Sequence, residues 1–99
     1  MKIVFLVYHD ILDDRINVML SEMGIDFYTK WEDVKGKGHS TEAHLGTRTF
    51  PGLNSVRMIA FTKEEPLNKL IGMVEQFNEG AFREDDKLRL FQLPLERIV

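Results

Sequence analysis

His39, Glu42 and His44 lie close together in the chain, and imidazole and carboxylate are suitable ligands for zinc, nickel or copper. Extended spacing points these side chains in different directions, so the segment must fold back to gather them; alternatively, a trimer could converge three copies of His44 on its axis. The competing reading is a set of solvated loop histidines, because structural zinc sites ordinarily use four ligands. Just upstream, Gly36-Lys37-Gly38 lacks the third glycine of a dinucleotide fingerprint and opens no helix. Two glycines let a strand turn into a loop. They also let backbone N–H groups approach a ligand, with Lys35, Lys37 and Arg48 supplying charge to an anion. Trp31, Tyr28 and Phe27 can stack on a planar base, although aromatic side chains are also common at subunit interfaces. His9 next to Asp10 reads as a neighbour of a helix-capping turn. The acidic runs Asp13-Asp14 and Glu84-Asp85-Asp86 read as solvated surface. No carboxylate pair, serine–histidine pair or P-loop takes a catalytic role, so the sequence points away from an enzyme.

The elements that must position these residues follow from periodicity. Residues 2–8 are an apolar, β-branched and aromatic run, which predicts a strand. Asp10 is placed to cap a helix with Leu12, Ile16, Met19, Leu20 and Met23 on one stripe, and Gly24 stands where that helix stops in a left-handed turn. Residues 25–35 predict a second strand. From Gly36 to Asn54 periodicity disappears, and a connection this long ordinarily has a role. Residues 55–62 predict a third strand. Thr62 and Glu65 have the spacing of a capping box, and Pro66 suits the first turn of a helix whose stripe is Leu67, Leu70, Ile71, Val74 and Phe77, closed by Gly80. A charged loop over 81–87, a last strand over 88–93 and a tail from Pro94 complete one domain spanning residues 1–99. The order strand-helix-strand-strand-helix-strand is that of an α+β, ferredoxin-like βαββαβ domain: a four-stranded antiparallel sheet with both helices on one face.

That architecture leaves a face uncovered. Ile3, Phe5 and Val7 point to one side of the first strand and Val4, Leu6 and Tyr8 to the other; Val56, Met58 and Ala60 oppose Ile59 and Phe61 on the third. A sheet with one face in water should alternate polar and apolar residues. This one is apolar on both faces, which predicts packing of sheet against sheet between identical copies; the alternative is a two-sided core inside a monomer of different topology. The formal net charge of −3 provides no basic excess to replace phosphate counterions, which argues against nucleic acid as a partner. With no cysteine, disulfides and thiolate metal sites are excluded. The first apolar run is too short to span a bilayer and lacks a signal-peptide layout, so a cytoplasmic location is expected.

These residues resemble a known family. The order of elements, Val34-Lys35-Gly36-Lys37-Gly38 after the second strand, and Leu93-Pro94-Leu95-Glu96 after the last are similar to the P-II signalling proteins; Gly38-His39-Ser40-Thr41-Glu42 resembles the start of their T-loop. The resemblance implies a homotrimer with three clefts between subunits. It also implies a small effector, in the family an adenine nucleotide, bound near Gly36, Gly38 and Arg89, where Arg89 matches a family lysine. The loop then reports to a partner such as a membrane transporter or a nitrogen-related enzyme. Trp31-x-Asp33-Val34-x-Gly36-x-Gly38, Ala43-His44-x-Gly46-Thr47 and Phe50-Pro51 resemble divergent members found beside metal or multidrug efflux systems. Those members, and the CutA family that shares the trimeric fold, carry the alternative of a divalent or heavy-metal-binding protein using His39, Glu42 and His44. The chain departs from the family pattern in three ways. The loop is short, it has no tyrosine to uridylylate, and Asn78 to Lys87 replaces a glycine-rich phosphate loop with a segment whose adjacent carboxylates repel phosphate.

Overall fold

A computed structural model of the chain describes residues 1–39 and 41–99. Strand β1 (Lys2–His9) leads through a single 3-10 turn (Asp10–Leu12) into helix α1 (Asp13–Glu22). Strands β2 (Thr29–Val34) and β3 (Asn54–Phe61) follow, then helix α2 (Glu64–Glu79), a second 3-10 turn (Glu84–Asp86) and strand β4 (Arg89–Pro94). The sheet order is β2-β3-β1-β4 with every neighbour antiparallel, the ferredoxin-like arrangement expected from the order of elements.

Strand parity divides the side chains between the two faces. Val4, Leu6 and Tyr8 of β1 and Ile59 and Phe61 of β3 are buried beneath Ile16, Met19 and Leu20 of α1 and Leu67, Leu70 and Val74 of α2. The opposite face carries Ile3, Phe5 and Val7, paired in register with Ala60, Met58 and Val56 on one side and with Leu93, Phe91 and Arg89 on the other. Trp31 lies opposite Val56 on that same face. Trp31, Phe91 and Leu93 are 45%, 55% and 50% exposed, so the second face is apolar and open in the single chain.

Helix α1 ends as its sequence predicts. Gly24 adopts φ +71°, its N–H donates to Ser21 O, and the Ile25 N–H donates to Leu20 O. This is the Schellman closure, sealed by contact between two buried residues, Leu20 and Ile25. The second strand is shorter than expected. The Ile25 amide is engaged with the helix, and pairing begins at Thr29 rather than at residue 25. A register shift between Trp31 and Val34, with Asp33 at φ +58°, then bends the strand before its end. Both helix starts differ from expectation. Asp10 enters the 3-10 turn and α1 begins after Leu12; Lys63, not Thr62, precedes α2; and neither helix has a side-chain cap. The Thr62–Glu65 capping box therefore does not form.

On the helix-covered face a polar cluster interrupts the core. Arg57 is 1% exposed, and its Nε–H donates to Tyr8 Oη at 2.9 Å while an Nη2–H donates to Asp13 Oδ1 at 3.0 Å and also to Asn17 Oδ1. Tyr8 donates to Asp13 Oδ1 at 2.6 Å, Lys30 to Asp13 Oδ2 at 2.7 Å, and the Tyr28 ring lies 4.7 Å from the guanidinium carbon. One buried charge thus ties β1, β2, β3 and α1 together, with each partner satisfied. Burial alone pushes the Asp13 carboxyl up, but hydrogen bonds from Lys30, Tyr8 and Arg57 outweigh it and bring its pKa down to about 2. Burial and the Asp13 carboxylate push the Tyr8 phenol well above its usual range, so it remains a donor.

Candidate functional site

The open face of the sheet leads into a cavity of about 350 Å³ at the C-terminal end of β1. Its floor is built from side chains of one strand parity: Val7 and His9 of β1, Asn54 of β3, and Arg89 and Phe91 of β4. Its walls are Gly36, Lys37, Gly38, Thr41 and His44 from the long connection, and Glu84, Asp85 and Lys87 from the segment before β4. Strand parity explains the floor. The walls require the connection to fold back, which it does through a two-way bridge: Gly36 N–H to His44 O at 2.8 Å and His44 N–H to Gly36 O at 2.7 Å. A Cβ at Gly36 would collide with the end of the Asn54 side chain, which would have to move aside, so glycine suits this close approach. A turn closed by Leu45, Thr47 and Phe50 forms the far end of the connection.

Two imidazoles anchor the site. The rings of His9 and His44 stack with centroids 4.1 Å apart and planes 26° from parallel. His44 Nδ1–H donates to Asn54 Oδ1 at 2.7 Å, and its Nε2 stands 3.8 Å from Asp85 Oδ2. His9 Nε2 faces Asp10 Oδ1 at 3.4 Å, and its buried Nδ1 finds no partner among the described residues. Burial and the neighbouring His44 hold the His9 pKa below its ordinary value, against the pull of Asp10, Asp86 and Asp85. Lys87 Nζ donates to Glu84 Oε1 at 2.7 Å and keeps that carboxyl below its usual range. Arg83, outside the cavity, forks between Glu42 Oε2 and Asp85 Oδ2, each at 3.2 Å, and so fastens the connection to the segment before β4.

Of the residues expected to bind a ligand, Gly36, Lys37, Gly38 and Arg89 line one cavity. Lys35 is exposed outside it, and Arg48 is exposed in the turn between Thr47 and Phe50; neither is brought to the site. His39, Glu42 and His44 are not gathered: His39 is exposed, Glu42 pairs with Arg83, and His44 is buried against His9. Among the described residues no group of three or more histidines and carboxylates is placed to hold a metal ion. Ser40, within the expected Gly38–Glu42 motif, lies outside the described residues. The aromatic trio also separates. Phe27 packs edge-on against Phe61, Tyr28 against Arg57, and Trp31 on the open sheet face.

Sequence reasoning missed His9, Asn54 and Lys87 as lining residues, and took Glu84 and Asp85 for plain surface. Parity was the available signal for His9: it alternates with Val7 and Phe5 and so must share their face. No helix among the described residues is long and apolar enough to cross a membrane.

No protein-family model matches the sequence, and no curated protein does. Solved structures do match. The chain superposes on CPII from Thiomonas intermedia K12, bound to ADP and bicarbonate, with a TM-score of 0.69 and 17% identity over 97% of this chain and 88% of that one. A second structure, of CPII described as a nitrogen regulatory PII-like protein bound to ADP, AMP and bicarbonate, gives a TM-score of 0.62 and 16% identity over 99% and 94%. The fold is therefore the PII-like fold.

Proposed function

We propose that the protein is a trimeric PII-like regulator, not an enzyme, whose cavity takes a small anionic effector and whose loop over residues 36–54 passes the result to a partner. The observation that carries this reading is the convergence of Lys37, Arg89 and Gly38 on one cavity, at the place where the open apolar face meets the loop. The floor residues Val7, Arg89 and Phe91 belong to both the cavity and that face. Copies packed on the face would therefore wall the cavity and make it a cleft between subunits. The ADP, AMP and bicarbonate held by the CPII structures make an adenine nucleotide, with or without bicarbonate, the first effector to test. An effector that contacts the loop in only one of its arrangements shifts the loop toward that arrangement. A membrane transporter or a nitrogen-related enzyme is the kind of partner such a loop would meet.

Titration calorimetry with ADP, AMP and bicarbonate, singly and together, tests the reading. Saturable binding is expected. Arg89→Gln should weaken it by about tenfold or more, the usual loss when a charge-assisted contact is removed. Absence of binding by all three would remove the nucleotide and bicarbonate part of the proposal.

A further inference from the structure

The cavity is far from uniformly basic. Lys37, Lys87 and Arg89 line it together with Glu84 and Asp85, so, leaving the imidazoles aside, the lining carries a single positive charge in excess. The opposite charges are already engaged with one another. Glu84 holds Lys87 at 2.7 Å. Asp85, with a side chain only 12% exposed, lies between Arg83 at 3.2 Å and His44 at 3.8 Å. Among the described residues, Lys37 and Arg89 alone of the lining cations make no salt bridge, although Arg89 is near enough to Glu84 to help hold its carboxyl down. Two cations can neutralise one or two negative charges. A longer polyanion would bring its further charges against Glu84 and Asp85, and like charges brought together repel, most at Asp85, whose side chain is the less exposed of the two.

We propose that Glu84 and Asp85 form a charge filter, so that the cavity prefers anions of one or two negative charges, such as a monophosphate, and binds di- and triphosphates progressively less tightly. This rests on the proposal that the cavity is the effector site, and it adds which effectors are preferred. The acidic pair also explains why a segment without a glycine-rich run can border an anion site: it recognises where the anion must end rather than cradling a long phosphate chain.

Two ligand series measured by calorimetry, at constant ionic strength and without divalent cations, test this. One is AMP, ADP and ATP; the other is inorganic phosphate, pyrophosphate and tripolyphosphate. In each series the dissociation constant should rise with charge, by about tenfold from first to last. In the Glu84→Gln/Asp85→Asn double variant, with its fold checked by its unfolding midpoint, that gap should shrink to about twofold. ATP binding as tightly as AMP to the unaltered protein, or a gap unchanged in a folded double variant, would overturn the filter. If the inorganic series shows the order and no nucleotide binds, the filter stands and the adenine reading fails. If neither series binds, both fail.

Discussion

Arg57 shows how much a single residue can decide. In a strand read as SVRMIAFT an arginine looks like the outward member, yet parity sets it with Ile59 and Phe61 on the covered face. The sequence does contain the means to hold it there, Tyr8 on the adjacent strand and Asp13 at the start of α1, but only three-dimensional proximity shows that they meet. Arg57→Leu leaves the Asp13 carboxylate without its buried donor. It should destabilise the fold by about 3 kcal/mol, measured as a drop in the urea midpoint at unchanged slope. Asp13 also sets an acid limit. Its carboxyl, lowered from an ordinary 3.8 to about 2, stabilises the fold fully above the ordinary value and progressively less as pH falls toward 2. Asp13→Asn should be less stable at neutral pH and should lack that acid-dependent loss. His9 acts at milder pH with the same sign. Its imidazole is harder to protonate folded than unfolded, so stability should hold above 6.5 and decline below it. His9→Phe, which retains an aromatic ring, should flatten that slope in unfolding midpoints taken across mildly acidic pH.

At the scale of elements, regular patterns were legible and irregular ones were not. The strands β3 and β4 fall within one residue of their predicted limits, and Gly24 closes α1 as expected, because apolar period and glycine chemistry are local properties. The caps were misjudged because a threonine at the right spacing does not decide which residue turns the chain. The connection between β2 and β3 was legible only as a long aperiodic stretch. What shapes it is non-local: the Gly36–His44 bridge, the His9–His44 stack and the hold of Arg83 on Glu42 and Asp85. Four of the expected ligand residues line the cavity, Arg89 at the start of β4 and Gly36, Lys37 and Gly38 where the Gly36–His44 bridge folds the connection back; Lys35 and Arg48 are exposed outside it. The bridge can be tested directly. Gly36→Ala must displace Asn54 and so weaken its bond to His44, at a cost of about 1–3 kcal/mol. Hydrogen exchange should quicken at the His44 amide, which the bridge protects, while the amides of β1 remain protected.

At the scale of the molecule, two helices cover one face of four strands and leave Trp31, Phe91 and Leu93 in the open, with Phe5 and Met58 half-buried among them. Sequence alternation predicted this correctly, because every strand but the second is apolar on both sides. It could not specify what covers the face. Sedimentation equilibrium of the purified chain should give a mass near three copies. Met58→Glu, which places a charge at the middle of the face beside Phe5, should shift the protein to single chains or to aggregate while leaving the helix-covered core intact.

Phe91 floors the cavity and also belongs to the greasy side of the sheet, so in the proposed trimer occupancy and assembly would draw on the same surface. Diluting the protein until copies separate should strip a wall from each binding place and weaken uptake of effector. Saturating effector should, in return, hold the copies together at dilutions where the empty protein falls apart. Such a sensor would register its own abundance along with that of the molecule it detects.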